Sequence, residues 1–299
     1  MYIFISRILV VVQHMVNPVY ILTLSCEDVI GIVAAVSGFL AAESCNIQES
    51  AQFFDHKTGR FFLRTVFASE TGQMLTLLQE KFISVASRFG MDWQIHDAAR
   101  RPPVLVLVSK FDHCLQALLY QHRSGSLLMD IVGIVSNHPD LQPVADFYQI
   151  PFHYFPVTSA TKEKQEALIW SMVQNRNIEL VILARYMQIL SESLSRKLFG
   201  RCINIHHSFL PSFKGAKPYH LAHDYGVKII GATAHYVTGD LDEGPIIEQE
   251  TTRVNHAYTS EQMIEQGKHL ENLVLTRAVR YHLEHRVIVN GRKTVVFGQ

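Results

Sequence analysis

Residues 104–108, Val-Leu-Val-Leu-Val, form an unbroken aliphatic run directly behind Pro102-Pro103. A strand that is apolar at every position has to be covered on both faces. Further apolar runs fall at 128–136, 152–156 and 180–183, with helix-patterned stretches between them. Strand and helix in strict alternation predict a doubly wound, mostly parallel sheet from residue 104 to the C-terminus. Such sheets bind ligands at the carboxyl ends of their strands. After Cys202 the pattern changes to a long loop, then strands at 229–237 and 245–253 and a helix at 260–284. The tail, 287–289 and 292–297 around Asn290-Gly291, reads as a hairpin.

The first third is patterned differently. Strands at 19–25, 47–54, 61–68 and 91–96 and helices at 32–42 and 71–89 give the order β-α-β-β-α-β. That is the ferredoxin-like, split βαβ arrangement, an α+β unit. The domains therefore read as an N-terminal extension (1–17), a first unit (18–97), a polar Pro-rich linker (98–103) and a second unit (104–299).

Lys plus Arg and Asp plus Glu both number 27, so the net charge is zero. A nucleic-acid binder needs a cationic face, and no basic block supplies one. Cys26, Cys45, Cys114 and Cys202 lie far apart with no Cys-x-x-Cys pair. This excludes a disulfide scaffold and a zinc ribbon and fits a reducing, cytoplasmic compartment. No apolar run reaches the roughly 18 residues of a spanning helix. Arg7 interrupts the N-terminal run, which makes a poor signal peptide. Met15, just ahead of the first strand, is an alternative natural start.

The chemistry gathers between Ile203 and Pro245. Asn204 and His206 alternate at the end of a strand, so both side chains leave one face. Asp242 follows in a Gly-Asp-Leu-Asp-Glu-Gly-Pro loop behind another strand. An amide can hold an oxyanion, an imidazole can carry a proton near neutral pH, and a carboxylate can orient it or accept a proton from water. No Ser or Cys sits in a nucleophile elbow, so water attack without a covalent intermediate is expected. His207 is adjacent to His206 and is expected to face the other way. His220, His223 and His235 offer a metal pattern, but no Cys or His-Glu-x-x-His supports it, and no metal is expected.

These residues carry a resemblance. Asn-Ile-His, Ser-Phe-Leu-Pro and Leu-Asp-Glu-Gly-Pro are similar to the signature of the folate-dependent formyltransferase fold. Four segments resemble the formyltetrahydrofolate deformylases in particular: Val-Ser-Lys-Phe-Asp-His-Cys-Leu (108–115), Asn-His-Pro-Asp-Leu (137–141), Leu-Ala-Arg-Tyr-Met-Gln-Ile-Leu (183–190) and His-His-Ser-Phe-Leu-Pro-Ser-Phe-Lys-Gly-Ala (206–216). The first unit resembles an ACT domain, the regulatory module of that family. It has Asp28-Val29-Ile30-Gly31 where those units often carry Asp-Arg-x-Gly.

The resemblance implies Asn204, His206 and Asp242 as catalytic residues. It implies a pterin strip with Met187, Gln188 and Leu190, and a facing wall with His235, Val237, Gly239 and Asp240. It also implies a folate substrate, a homo-oligomer, an amino-acid effector at the ACT-like unit, and no cofactor. The turn Ser109-Lys110-Phe111-Asp112-His113 has no glycine and carries bulky residues and an acid, which disfavours a phosphorylated acceptor. Water is then the acceptor, and the implied reaction turns 10-formyltetrahydrofolate into tetrahydrofolate and formate for purine biosynthesis and one-carbon balance. Formyl transfer to an amine, and a non-catalytic folate or amino-acid sensor, stand as the alternatives.

Overall fold

The computed structural model describes residues 17–211 and 218–298. The N-terminal extension up to residue 16, the Met15 start and the Ser212–Ala216 part of one quoted motif lie outside them. The chain divides into two compact units, one ending at Ala98 and the other beginning at Ala99.

The first unit runs β1 (Val19–Glu27), α1 (Ile32–Ala42), β2 (Cys45–Asp55), β3 (Arg60–Ser69), α2 (Leu75–Phe89) and β4 (Asp92–Asp97). Its strands pair antiparallel in the order β2-β3-β1-β4. Alternate residues of β1 and β3, among them Leu22, Leu24, Leu63 and Phe67, bury one face of that sheet. Ile32, Val36 and Leu40 of α1 and Leu78, Phe82 and Ala86 of α2 cover it, at the four-residue spacing of a helix face. Helix α2 starts at Leu75 and not at Thr71, because Gly72, at φ +68°, turns the chain first. Gly90, at φ 58°, ends it in a left-handed cap.

The second unit continues β5 (Pro103–Val108), α3 (His113–Arg123), β6 (Asp130–Ser136), α4 (Gln142–Phe147), β7 (Phe152–Tyr154), α5 (Lys162–Asn175), β8 (Leu180–Leu183), α6 (Glu192–Lys197) and β9 (Cys202–His206). It ends with α7 (Pro218–Asp224), β10 (Ile229–Tyr236), β11 (Ile246–Arg253), α8 (Ser260–Leu283), β12 (Val287–Asn290) and β13 (Lys293–Val296). The large sheet has the order β11-β10-β9-β8-β5-β6-β7. Strands β5 to β9 are parallel; β10 and β11 are antiparallel to their neighbours. The aliphatic run Val104–Val108 forms an interior strand, between β8 and β6, and is fully buried. Val104, Val106 and Val108 face α8, while Leu105 and Leu107 face α5, so two apolar layers sandwich the sheet. Residues 99–103 are tied into this unit. Arg100 pairs with Glu179, and the Pro102 and Pro103 carbonyls accept from Asp130 and Glu179 N–H.

From β5 the chain winds one way through β6 to β7, then returns to place β8 and β9 on the other side of β5. The loops leaving β5 and β8 therefore diverge, and a crevice opens at their carboxyl ends. Among the described residues no helix is long and apolar enough to cross a membrane.

Candidate active site

Strand β9 sends Asn204 and His206 to the same face, as the alternation requires. Antiparallel β10 sets His235 directly opposite Asn204. A register shift between Ala234 and His235 adjusts that strand's aim. His235 Nδ1 lies 2.9 Å from the Tyr236 carbonyl oxygen, to which it can only donate. In the neutral ring Nε2 is then an acceptor, and it receives the Asn204 amide at 3.2 Å. This fixes Asn204 with its nitrogen toward His235 and leaves the second amide hydrogen available.

The loop after β10 folds back tightly. A Cβ on Gly244 would fall 1.6 Å from the Tyr236 carbonyl oxygen, so only glycine fits there. Tyr236 N–H donates to Pro245, and Val237 N–H to Cys202. The returning loop holds Asp242 in the left-handed region, at φ 56°. Non-glycine residues rarely sit there, and such strain gathers at functional sites. Asp242 Oδ1 lies 3.3 Å from His206 Nδ1 and 3.7 Å from His235 Nε2. Burial by itself raises the Asp242 carboxyl. The hydrogen bonds and charges that His206 and His235 supply when protonated outweigh it and hold the group well below the carboxylate range. His206 Nε2 is buried and has no hydrogen-bond partner among the described residues.

A cavity of about 290 Å³ opens beside these groups. Met187, Gln188, Leu190, His235, Val237, Gly239 and Asp240 all line it, together with Asn204, His206 and Asp242. The strip from 187 to 190 is held by buried polar groups that sequence reading did not single out. Met187 N–H donates to Ser109 Oγ at 3.0 Å, and Ser109 Oγ donates to Asn137 Oδ1 at 2.7 Å. Gln165 Nε2 donates to the Tyr186 hydroxyl at 2.7 Å. Glu166 accepts from Ser191 N–H at 2.8 Å and from its hydroxyl. Gln165 and Glu166 are neighbours on α5, so one helix end and one hydroxyl brace the strip. Asp240 is an exposed turn residue whose carbonyl accepts from Thr238 Oγ1.

His207 departs from its expected orientation. Strand β9 ends at His206, so strict alternation stops there. The His207 ring stacks on His206, 5.2 Å between centroids and 16° apart, and also lines the cavity. Burial first, then the charges of Arg185 and His206, push its imidazole down to about 4.

Behind the cavity wall lies a buried charged cluster. Glu271 of α8 is 1% exposed. It meets His113 Nε2 at 2.8 Å, the Tyr219 hydroxyl at 3.0 Å and Arg185 Nε at 3.3 Å. Burial raises the Glu271 carboxyl, and the His113 hydrogen bond with the Arg185 charge brings it below its ordinary value. The sequence signal for this cluster was a carboxylate inside the apolar stripe Leu270, Val274, Leu275 and Ala278. His113, Cys114 and Glu271 are close enough to hold a metal, the one such group among the described residues. Arg185 already occupies one side of that carboxylate, and burial pushes the Cys114 thiol well up, so the donors suit a cation poorly. His235 is bound to Asn204 and Tyr236, apart from His220 and His223 on α7.

The formyl transferase family model matches residues 103–279. A formyltetrahydrofolate deformylase of Corynebacterium sp. (strain P-1) is 48% identical, over 93% of this chain and 97% of that protein. The crystal structure of the formyltetrahydrofolate deformylase of Burkholderia mallei ATCC 23344 superposes with a TM-score of 0.90 at 52% identity, covering 94% of this chain and 100% of that one. A glycinamide ribonucleotide transformylase of Symbiobacterium toebii shares the fold more distantly, with TM-score 0.62 and 27% identity over 66% of this chain and 95% of that one. A match that spans both units, on a chain that brings the amide, the imidazoles and the carboxylate together, establishes that this protein belongs to the formyltetrahydrofolate deformylase family.

Proposed function

We infer that the chain hydrolyses 10-formyltetrahydrofolate to tetrahydrofolate and formate. The observation that carries this is His206, tied through Nδ1 to an ionised Asp242 with Nε2 left unpartnered at the cavity. A carboxylate held so far below its ordinary range is a weak base. Its contribution is to orient the imidazole and to stabilise the imidazolium that forms. Water attacks the formyl carbon while His206 takes its proton. The second Asn204 amide hydrogen stabilises the oxyanion. Collapse breaks the carbon–nitrogen bond, the proton passes to the leaving nitrogen, and formate departs, its remaining proton lost to solvent. The braced strip at 187–190 and the wall at 237–240 hold the pterin between them.

Incubation with 10-formyltetrahydrofolate alone tests the reading. Formate and tetrahydrofolate in equal amounts, without an acceptor, are expected. Turnover only after an amine is added would move the assignment to a transferase. Chelator-dialysed protein is expected to keep its rate, because a guanidinium already stands beside the metal-spaced cluster.

The same reading makes the protein a cytoplasmic enzyme whose formate supports purine biosynthesis. Residues 18–97 act as the ACT-like regulatory unit, taking an amino-acid effector. Its sheet ends in the edge strands β2 and β4, which support a homo-oligomer. A monomer in sedimentation, or a rate indifferent to every amino acid, would remove these parts.

A further inference from the structure

Arg185 lies two residues beyond the end of β8, at the switch between the two halves of the sheet. Its backbone sits in the left-handed region, at φ 63°. Its side chain is only 10% exposed. Nη1 is buried with no hydrogen-bond partner among the described residues, and Nε meets Glu271 without hydrogen-bond alignment. The guanidinium carbon lies 5.1 Å from the centre of the half-exposed Phe111 ring. A strained backbone and a buried guanidinium whose Nη1 finds no hydrogen bond both disfavour folding, and a residue that carries both is a candidate for function.

The cavity is bounded by Arg185 and His207, whereas His113, Tyr219 and Glu271 lie behind that wall and do not line it. Arg185 thus stands between the catalytic groups and a buried polar cluster that contains a carboxylate. The far side of Arg185 is the turn after β5, where Phe111 reaches solvent. Removing the guanidinium would open the cavity toward that cluster and the turn that carries Phe111.

We propose that Arg185 is the specificity-determining plug of this site: it admits water to the formyl carbon and closes the path of a primary amine. The proposal deepens the hydrolytic reading and rests on it. With the plug removed, an amine would attack the formyl carbon. The new carbon–nitrogen bond forms as the old one breaks, and the amine's proton passes to the leaving nitrogen. The products are a formamide and tetrahydrofolate, with no other reactant needed.

The test measures product partition, which is independent of total rate. Full-length protein is given 10-formyltetrahydrofolate with methylamine or glycinamide, and formate and the N-formyl product are counted together. Wild type is expected to yield formate alone. Arg185→Gly, which suits the positive φ, is expected to divert about a tenth or more of the formyl groups to the amine, a ratio that a pure loss of stability would not move. The paired variant Arg185→Gly/Glu271→Gln removes the carboxylate left uncompensated and is expected to divert formyl likewise. Wild type that formylates glycinamide, or variants that turn over and release only formate, would overturn the plug. Hydrolysis by wild type without any amine is read separately, so the plug and the hydrolytic reading fail on different measurements.

Discussion

At the residue scale, the proposed catalytic groups are expected to act as one unit. His206→Asn and Asp242→Asn are each expected to lower kcat by about 10²–10⁴. The double variant should lose little more than the worse single, because each removes the same activated imidazole. Multiplicative losses in steady-state assays would show that the two act separately. His207 makes a different prediction. Its imidazole is held neutral down to about 4, whereas an unfolded chain's histidine titrates near about 6.5. Below the unfolded value the unfolded chain binds the extra proton, so stability is complete above about 6.5 and is lost as pH falls toward 4. Thermal melts should fall across that window, and His207→Gln should flatten the fall. Asn204, His206 and Asp242 were legible because alternation and a glycine-bounded loop are local patterns. His207 was misread because alternation applies only while the strand lasts. Arg185 was not legible as a wall, since nothing local announces a positive φ at an arginine.

At the scale of elements, the site depends on braces that cross the switch point. Ser109→Ala removes the acceptor of the Met187 N–H, a loss of about 1–3 kcal/mol for a buried donor left unpaired. If the strip binds substrate without reacting, as proposed, KM should rise several-fold with kcat nearly kept. An equal fall in kcat would place Ser109 in the chemistry instead. Gly267 of α8 shows the same dependence between elements. A Cβ there would lie 2.1 Å from the Tyr219 ring, which reaches across to Glu271. Gly267→Ala should therefore cost about 1–3 kcal/mol as overpacking, read by chemical denaturation. Such partners are separated by tens of residues, which explains why the element order was readable and the braces were not. Helix α2 shows the limit at short range, where Gly72 postponed a start that periodicity placed earlier.

At the scale of the whole molecule, the two units have separate cores that share no residue. Leu22→Ala, in the middle of β1, should lower the stability of the first unit by about 2–5 kcal/mol. The kcat per folded molecule should stay near wild type, since every proposed reacting group lies in the second unit. A proportionate loss of kcat would tie catalysis to the first unit. Both architectures followed from pattern, β-α-β-β-α-β before Pro102 and apolar strand with helix after it. The antiparallel turn of β10 was not read, because strand direction depends on how the chain crosses and not on composition.

That antiparallel pairing has a consequence in time. Asn204, His206 and His235 sit on two adjacent strands inside the large sheet, and Asp242 on the loop that leaves them. The strip that faces them hangs from other elements, by a few side-chain bonds. Amide exchange should therefore be slow along 203–206 and 232–236 and fast along 187–190. Fast exchange there would let the strip lift and free the proposed product while the proposed reacting groups keep their spacing, ready for the next molecule.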